Sequence, residues 1–129
     1  MSYGPSVTVG RPFGEVVTAV RAALATEGFG VLTEIDVQAT MKAKLSADMG
    51  TYLILGACNP PLTQRALQID PSIGLLLPCN IVVRQTEHGT TVSAVDPMMM
   101  VSGSSNPALQ PIADEAAGRL SAALAALSD

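Results

Sequence analysis

The sequence predicts an α+β fold: a single mixed, largely antiparallel sheet of about five strands with helices packed on it. Three observations lead to this prediction. Short apolar runs bounded by glycine, proline or asparagine indicate strands. Near both ends of the chain, apolar residues recur every three or four positions, which is typical of amphipathic helices. The third is the turn at Glu87-His88-Gly89, which lies between two strand-like runs and predicts an antiparallel hairpin.

Each element follows from a local signal. The predicted strands cover residues 6–9, 31–35, 51–57, 80–85 and 90–95, and the third is apolar throughout, which predicts a central, buried position. The predicted helices cover residues 12–27, 37–45 and 107–127, with a further helix of about ten residues that has 62–69 at its core. Residues 98–106 are predicted to be a loop. Asp36 is a candidate N-cap of the second helix, and Gly28 is expected in the left-handed region after the first.

The bulk composition describes a chain that folds. Its 129 residues are 48% hydrophobic and 14% charged, the reverse of a disordered composition. The length predicts one domain, residues 1–129. With so few charged residues, the surface is expected to carry apolar patches, which usually mark subunit interfaces.

Charge and hydropathy exclude several functions. A net charge of -4, with no tryptophan and only two tyrosines and two phenylalanines, argues against binding of nucleic acid, which needs basic stripes or stacking platforms. No apolar run approaches the roughly 18 residues of a membrane span. The N-terminus has no signal-peptide pattern, so we expect a cytoplasmic protein with reduced thiols.

Both cysteines of the chain occur in similar triplets, Cys58-Asn59-Pro60 and Pro78-Cys79-Asn80. One hypothesis is a two-thiol site for Cu(I), Zn(II) or thiol exchange. If the strands ending at Cys58 and beginning at Cys79 are antiparallel, both thiols lie at one edge of the sheet. If they are parallel, the thiols lie roughly 15–20 Å apart. Both cysteines could instead be core residues, because cysteine packs as a small hydrophobe.

Other polar and sulfur-containing residues have simple structural interpretations. Asn59 and Asn80 could hold turns through their side chains, or line a small polar pocket with the thiols. His88, the only histidine, is expected to be a solvated turn residue. Met98, Met99 and Met100 could supply thioethers to Cu(I), although the core or a dimer interface is the favoured interpretation.

An ordered series of segments resembles the family named domain of unknown function 302. It runs from Gly28-Phe29 through Glu34-Ile35-Asp36-Val37 and ILGACNP to GLLLPCN and Asp96-Pro97. The resemblance covers nearly the whole chain. It implies a compact bacterial or archaeal α+β domain that forms a homodimer, and it implies no established activity.

We therefore expect a small protein that binds a small ligand or a soft metal ion at the rim formed by Cys58, Asn59, Cys79 and Asn80, with the two cysteines as metal ligands. The cofactor cannot be named from the sequence. A thiol-dependent enzyme or sulfur carrier that uses Cys58 or Cys79 is the second hypothesis. A structural or interaction domain without chemistry is the third.

Overall fold

A computed structural model describes residues 2–104 and 106–128, and its centre is a five-stranded sheet. The strands are β1 (Ser6–Val9), β2 (Gly30–Asp36), β3 (Tyr52–Cys58), β4 (Cys79–Thr86) and β5 (Gly89–Ala94). Their order across the sheet is β1-β5-β4-β3-β2, and every neighbouring pair is antiparallel. The predicted α+β class and the hairpin of β4 and β5 are confirmed.

Helices connect and cover these strands. They are α1 (Phe13–Thr26), α2 (Val37–Leu45), α3 (Pro60–Ile69), α4 (Met98–Ser102) and α5 (Gln110–Ala125). Two 3₁₀ segments, Pro71–Leu76 and Pro107–Leu109, lie before β4 and α5. Among the described residues, no helix has the length and apolar character that crossing a bilayer requires.

Local chemistry explains where the helices begin and end. The Asp36 carboxylate accepts a hydrogen bond from the Ala39 amide at 2.9 Å, so the predicted N-cap is confirmed. Gly28 follows α1 with φ of 84°, as expected for a left-handed residue after a helix. Gly89 has φ of 132° in the hairpin turn, a conformation that residues with a side chain rarely adopt.

Helices α1 and α5 cover one face of the sheet. Alternate residues of the strands point into this layer, among them Leu55, Ile81, Val83 and Val92, all at most 1% exposed. They pack with side chains such as Val16, Val20 and Leu120 from the two helices. This face holds the main hydrophobic core.

A second hydrophobic cluster lies beyond the end of the sheet. It is built from α3, α4, the 3₁₀ segments and the first half of α5, with the buried residues Leu62, Ala66, Ile73, Met100, Leu109, Ile112, Ala113 and Ala116. Helix α5 contributes to both clusters, because its second half packs on the sheet. The strand ends that carry the cysteines lie where the two clusters meet.

The opposite face of the sheet is more open. On β4, Asn80, Val82 and Arg84 alternate with the buried residues Cys79, Ile81 and Val83, so their side chains point away from the main core. Val82 lies opposite Ile54 on β3 and Ser93 on β5. We call this surface the open face.

The segment after β5 differs from the prediction. Met98–Ser102 forms the short helix α4 where a loop was expected, because the Asp96 carboxylate accepts a hydrogen bond from the Met98 amide at 2.9 Å and starts the turn. The last helix begins at Gln110 instead of residue 107 and ends at Ala125. Ser105, within the predicted loop, lies outside the described residues.

Candidate functional site

The antiparallel pairing of β3 and β4 brings both cysteines to the same end of the sheet. In the register of these strands, Ala57 lies directly opposite Cys79, and Cys58 is the next residue along the chain. The geometric condition set by the sequence, that the two strands run antiparallel, is therefore met. Both thiols are free.

Cys58 is half-buried at the end of β3, next to the first turn of α3. Its Sγ lies 3.2 Å from Thr63 Oγ1, and either atom can donate the hydrogen bond. On its outer side, Cys58 borders a shallow surface groove formed with Pro60, Thr63 and Gln64 and with two further α3 residues, Leu67 and Gln68. This thiol is therefore within reach of a ligand from solvent.

Cys79 is buried, at 9% exposure. It borders a cavity of about 20 Å³ whose wall also includes Thr63 and Met100. The other lining residues are Phe29, Asn59, Leu62, Ala66, Leu77, Ile112 and Ala116. A space of this size holds about one water-sized particle. Thr63 thus touches Cys58 and also lines the cavity that Cys79 and Met100 share.

The buried thiol is held in its neutral form. Burial raises the pKa of Cys79 to about 11, and the proximity of Cys58 adds to the rise, because a thiolate there would lose hydration and meet a second thiolate. Without a cation, Cys79 is a protonated thiol at neutral pH. A bound cation would reverse this preference, since metal binding displaces the thiol proton.

The two asparagines of the repeated triplets occupy different environments. Asn59 is 7% exposed and caps α3: its Oδ1 accepts from the Leu62 amide at 3.3 Å, and its Nδ2 donates to the Glu27 carbonyl at 3.4 Å. This fits the turn-holding interpretation. Asn80 is exposed on the open face, and no hydrogen bond of its side chain is seen within the described residues. The structure therefore brings Cys58, Asn59 and Cys79 to the same end of the sheet, with Cys58 and Cys79 bordering different concavities, and it directs Asn80 to the open face.

Other sequence candidates lie apart from the thiols. His88 is in the hairpin turn with 81% of its side chain exposed, 3.7 Å from the Glu87 carboxylate, in agreement with a solvated turn residue. Met100 is buried and Met99 is 47% exposed, so the core interpretation holds for Met100. Within residues 2–104 and 106–128, no three His, Cys, Asp or Glu side chains form a group that could hold a metal ion.

Two residues near the thiols, Thr63 and Met100, decide the character of this site. Sequence reasoning did not identify Thr63, although it lies only five residues after Cys58, in the helix that Asn59 caps. Met100 was noted only as part of a methionine run, and the run gives no indication of which side chain lines the cavity beside Cys79. The Thr63 contact spans only five residues, whereas the place of Met100 in the wall of the Cys79 cavity depends on how α4 and β4 pack.

Comparison with known families identifies the fold family. The model of the family described as "Domain of unknown function DUF302" matches residues 5–127. This chain belongs to that family. The crystal structure of an uncharacterized conserved DUF302 protein from Bacillus stearothermophilus is similar, with a TM-score of 0.90, 31% sequence identity and 98% coverage of each chain. None of the curated proteins compared with this DUF302 chain matches it.

Proposed function

We propose that this DUF302 protein is a binding module for a soft metal ion, with Cu(I) held by sulfur at the end of β3 and β4. The observation that carries the proposal is the cavity of about 20 Å³ that Cys79 and Met100 share. Thr63 also lines this cavity, and its Oγ1 lies 3.2 Å from the Sγ of Cys58. Thiolates and thioethers are the ligands that Cu(I) prefers. The buried apolar wall supports a soft ion over a hard one.

The donor set favours Cu(I) over Zn(II). Structural Zn(II) sites use four Cys or His ligands in a tetrahedron, and the only histidine, His88, is on the hairpin turn. Two thiols and one thioether supply enough ligands for a low-coordinate Cu(I) ion. For Cys58 to join, its side chain has to turn away from Thr63, and each thiol loses its proton to solvent.

Competition against a chromophoric Cu(I) chelator, under anaerobic conditions, tests the proposal. We expect one Cu(I) per chain, and we expect Cys58→Ser and Cys79→Ser each to weaken binding at least about a hundredfold. Met100→Leu, which keeps the volume of the core, is expected to weaken binding by about tenfold.

The matched control is Met99→Leu, because Met99 is the exposed neighbour of Met100 and should leave the affinity unchanged. Equal affinity in the wild type and both cysteine variants contradicts the proposal. The proposal is also contradicted if the folded wild type binds Cu(I) no more tightly than the unfolded chain does.

A thiol-dependent enzyme or sulfur carrier is the second candidate, and the open groove at Cys58 favours it. In that case Cys58 is the reacting residue and Cys79 a packing residue. Iodoacetamide should then label Cys58 in the native protein faster than a free thiol of a model peptide at the same pH. A labelling rate below that of the peptide contradicts this second candidate.

We also propose that the protein forms a homodimer through the free edge of the sheet. Strand β2 is an edge strand, and α2, which follows it, has no buried residue. Leu32, Ile35 and Leu45 are 67%, 49% and 70% exposed there. A nine-residue helix is marginal without packing, and an uncovered edge strand can pair with another chain. A second copy of the chain would cover the exposed side chains of α2 and pair with the free edge of β2.

We also propose that the protein acts in the cytoplasm, where thiols stay reduced, because Cys58 and Cys79 can bind Cu(I) only as reduced thiolates.

A further inference from the structure

A second concave surface lies on the open face, away from the thiols. It is a groove of about 610 Å³, within the size range of small-molecule sites. Strands β1, β3, β4 and β5 form its floor, and the N-terminal segment contributes to its wall. Hydrogen bonds hold that segment in place: the Asp96 amide donates to the Tyr3 carbonyl at 2.8 Å, and the Ala94 amide to the Pro5 carbonyl at 3.0 Å.

The charge of the groove is positive. Of the described residues that line it, Arg84 alone is charged, although the chain as a whole carries a net charge of -4. No ion pair or side-chain hydrogen bond of Arg84 occurs within residues 2–104 and 106–128. An arginine in a groove without a carboxylate is available to an anion, which it binds best through two parallel N–H bonds.

The groove also has aromatic residues in its lining. The chain has two tyrosines, and both Tyr3 and Tyr52 line this surface. Tyr52 lies directly opposite Arg84 in the pairing of β3 and β4, so both side chains leave the same face of the sheet. Tyrosine combines an apolar ring with a polar tip, a frequent arrangement in binding sites.

The rest of the floor has a defined order along β4. Val82 lies two residues from Arg84 and provides an apolar centre, and Asn80 lies about 13 Å from Arg84 at the strand spacing. Ser93, opposite Val82, hydrogen-bonds Ser6 through the two hydroxyl oxygens at 2.6 Å. The groove thus offers a cation at one end, an apolar middle and an amide at the other end.

We propose that the open face binds a small, elongated carboxylate with an apolar body and a hydrogen-bonding group at its far end. The carboxylate pairs with Arg84 beside Tyr52, the body lies on Val82, and the far group reaches Asn80. A single guanidinium matches a singly charged carboxylate better than a phosphate dianion, which needs further donors. The site is independent of the Cu(I) proposal, since no residue is shared.

A titration monitored by backbone amide NMR tests this site, with 3-(4-hydroxyphenyl)propionate as the probe. We expect saturable shifts at residues 52, 80–84 and 93. Arg84→Gln and the primary amide of the probe should each weaken binding at least about tenfold, the effect of losing one charge-assisted pair. Arg65→Gln, an exposed arginine on α3, is the control and should bind like the wild type.

Three outcomes overturn the proposal. The first is the absence of saturable shifts in these residues. The second is equal affinity of the probe for the wild type and Arg84→Gln. The third is a shift of the same amides on dilution without any probe, because this means that a second copy of the chain covers the open face. Cys58→Ser and Cys79→Ser should leave probe binding unchanged, which separates this test from that of the Cu(I) site.

Discussion

At the scale of single residues, the repeated Cys-Asn pair shows how position decides the role of a side chain. Asn59 follows the end of a strand and precedes a helix, so its amide caps α3 and also reaches the Glu27 carbonyl at the end of α1. Asn80 is the second residue of a strand, where alternation points it to the open face. The same dipeptide therefore supports packing in one place and lines a groove in the other.

Replacing Asn59 by alanine should destabilise the protein by about 1–2 kcal/mol, because an N-cap bond and a link between α1 and α3 are lost together. Urea unfolding measures the change. Asn80→Ala is the matched control and should stay within about 0.5 kcal/mol of the wild type. A similar loss for both variants contradicts the distinct roles assigned to the two asparagines.

The raised pKa of Cys79, about 11, predicts a loss of stability in alkali. Between the ordinary thiol pKa and about 11, the unfolded chain releases the proton of this thiol and the native protein keeps it. The native state then binds more protons, so the free energy of unfolding falls as pH rises through this window. The slope from this group is at most about 1.4 kcal/mol per pH unit.

Urea unfolding at pH 7 to 11 checks this expectation. Because tyrosine and lysine also titrate there, the informative quantity is the difference in free energy of unfolding between the wild type and Cys79→Ala. That difference should be constant below pH 8 and should then change as the wild type loses stability. A difference that does not change with pH contradicts the buried, neutral state of the Cys79 thiol.

At the scale of elements, β2 and α2 stand out because their side chains are largely uncovered. If a second copy covers them, a charge in that interface should separate the subunits. Leu32→Glu and Leu45→Glu are expected to convert a dimer into a monomer in sedimentation-velocity experiments. Leu75→Glu is the control, since Leu75 is 89% exposed on a different segment. A wild-type chain that is monomeric at every concentration tested contradicts the proposed interface.

The elements that were predicted well are those whose signals are local. The periodicity of Val16, Val20 and Leu24, the Asp36 cap and the turn at Gly89 each act over a few residues, and the structure confirms all three. Helix α4 was missed because five residues are too short to show a period, and a side-chain bond from Asp96 starts it.

The candidate site was predictable only in part. The repeated triplet indicated where the cysteines belong, and antiparallel pairing places them at one end of the sheet. The cavity shared with Met100 depends on packing between elements far apart in the chain. The bond to Thr63 spans only five residues, from the end of β3 into α3. Arg84 and Tyr52 become informative only once the register of β3 and β4 is known, since the sequence does not show which residues lie opposite each other.

At the scale of the whole molecule, α5 joins the two hydrophobic clusters. Ile112 and Ala116 pack with α3 and α4, and Leu120 and Leu124 pack on the sheet. A helix shared in this way couples the two halves, so we expect residues 1–129 to unfold as a single domain. Calorimetry should give equal calorimetric and van't Hoff enthalpies. Two resolved transitions contradict this coupling.

The central claim, that Cys58, Cys79 and Met100 form one soft-metal site, is tested most directly by metal analysis of the protein purified anaerobically, without a metal-affinity tag, from cells grown with copper. A thiol titration of the same native sample accompanies it. The account predicts close to one copper per chain, protection of both thiols until the copper is removed, and loss of the copper in Cys79→Ser. Protein without copper, in which Cys58 reacts freely and Cys79 reacts only after unfolding, would contradict the claim and leave the two cysteines as packing residues.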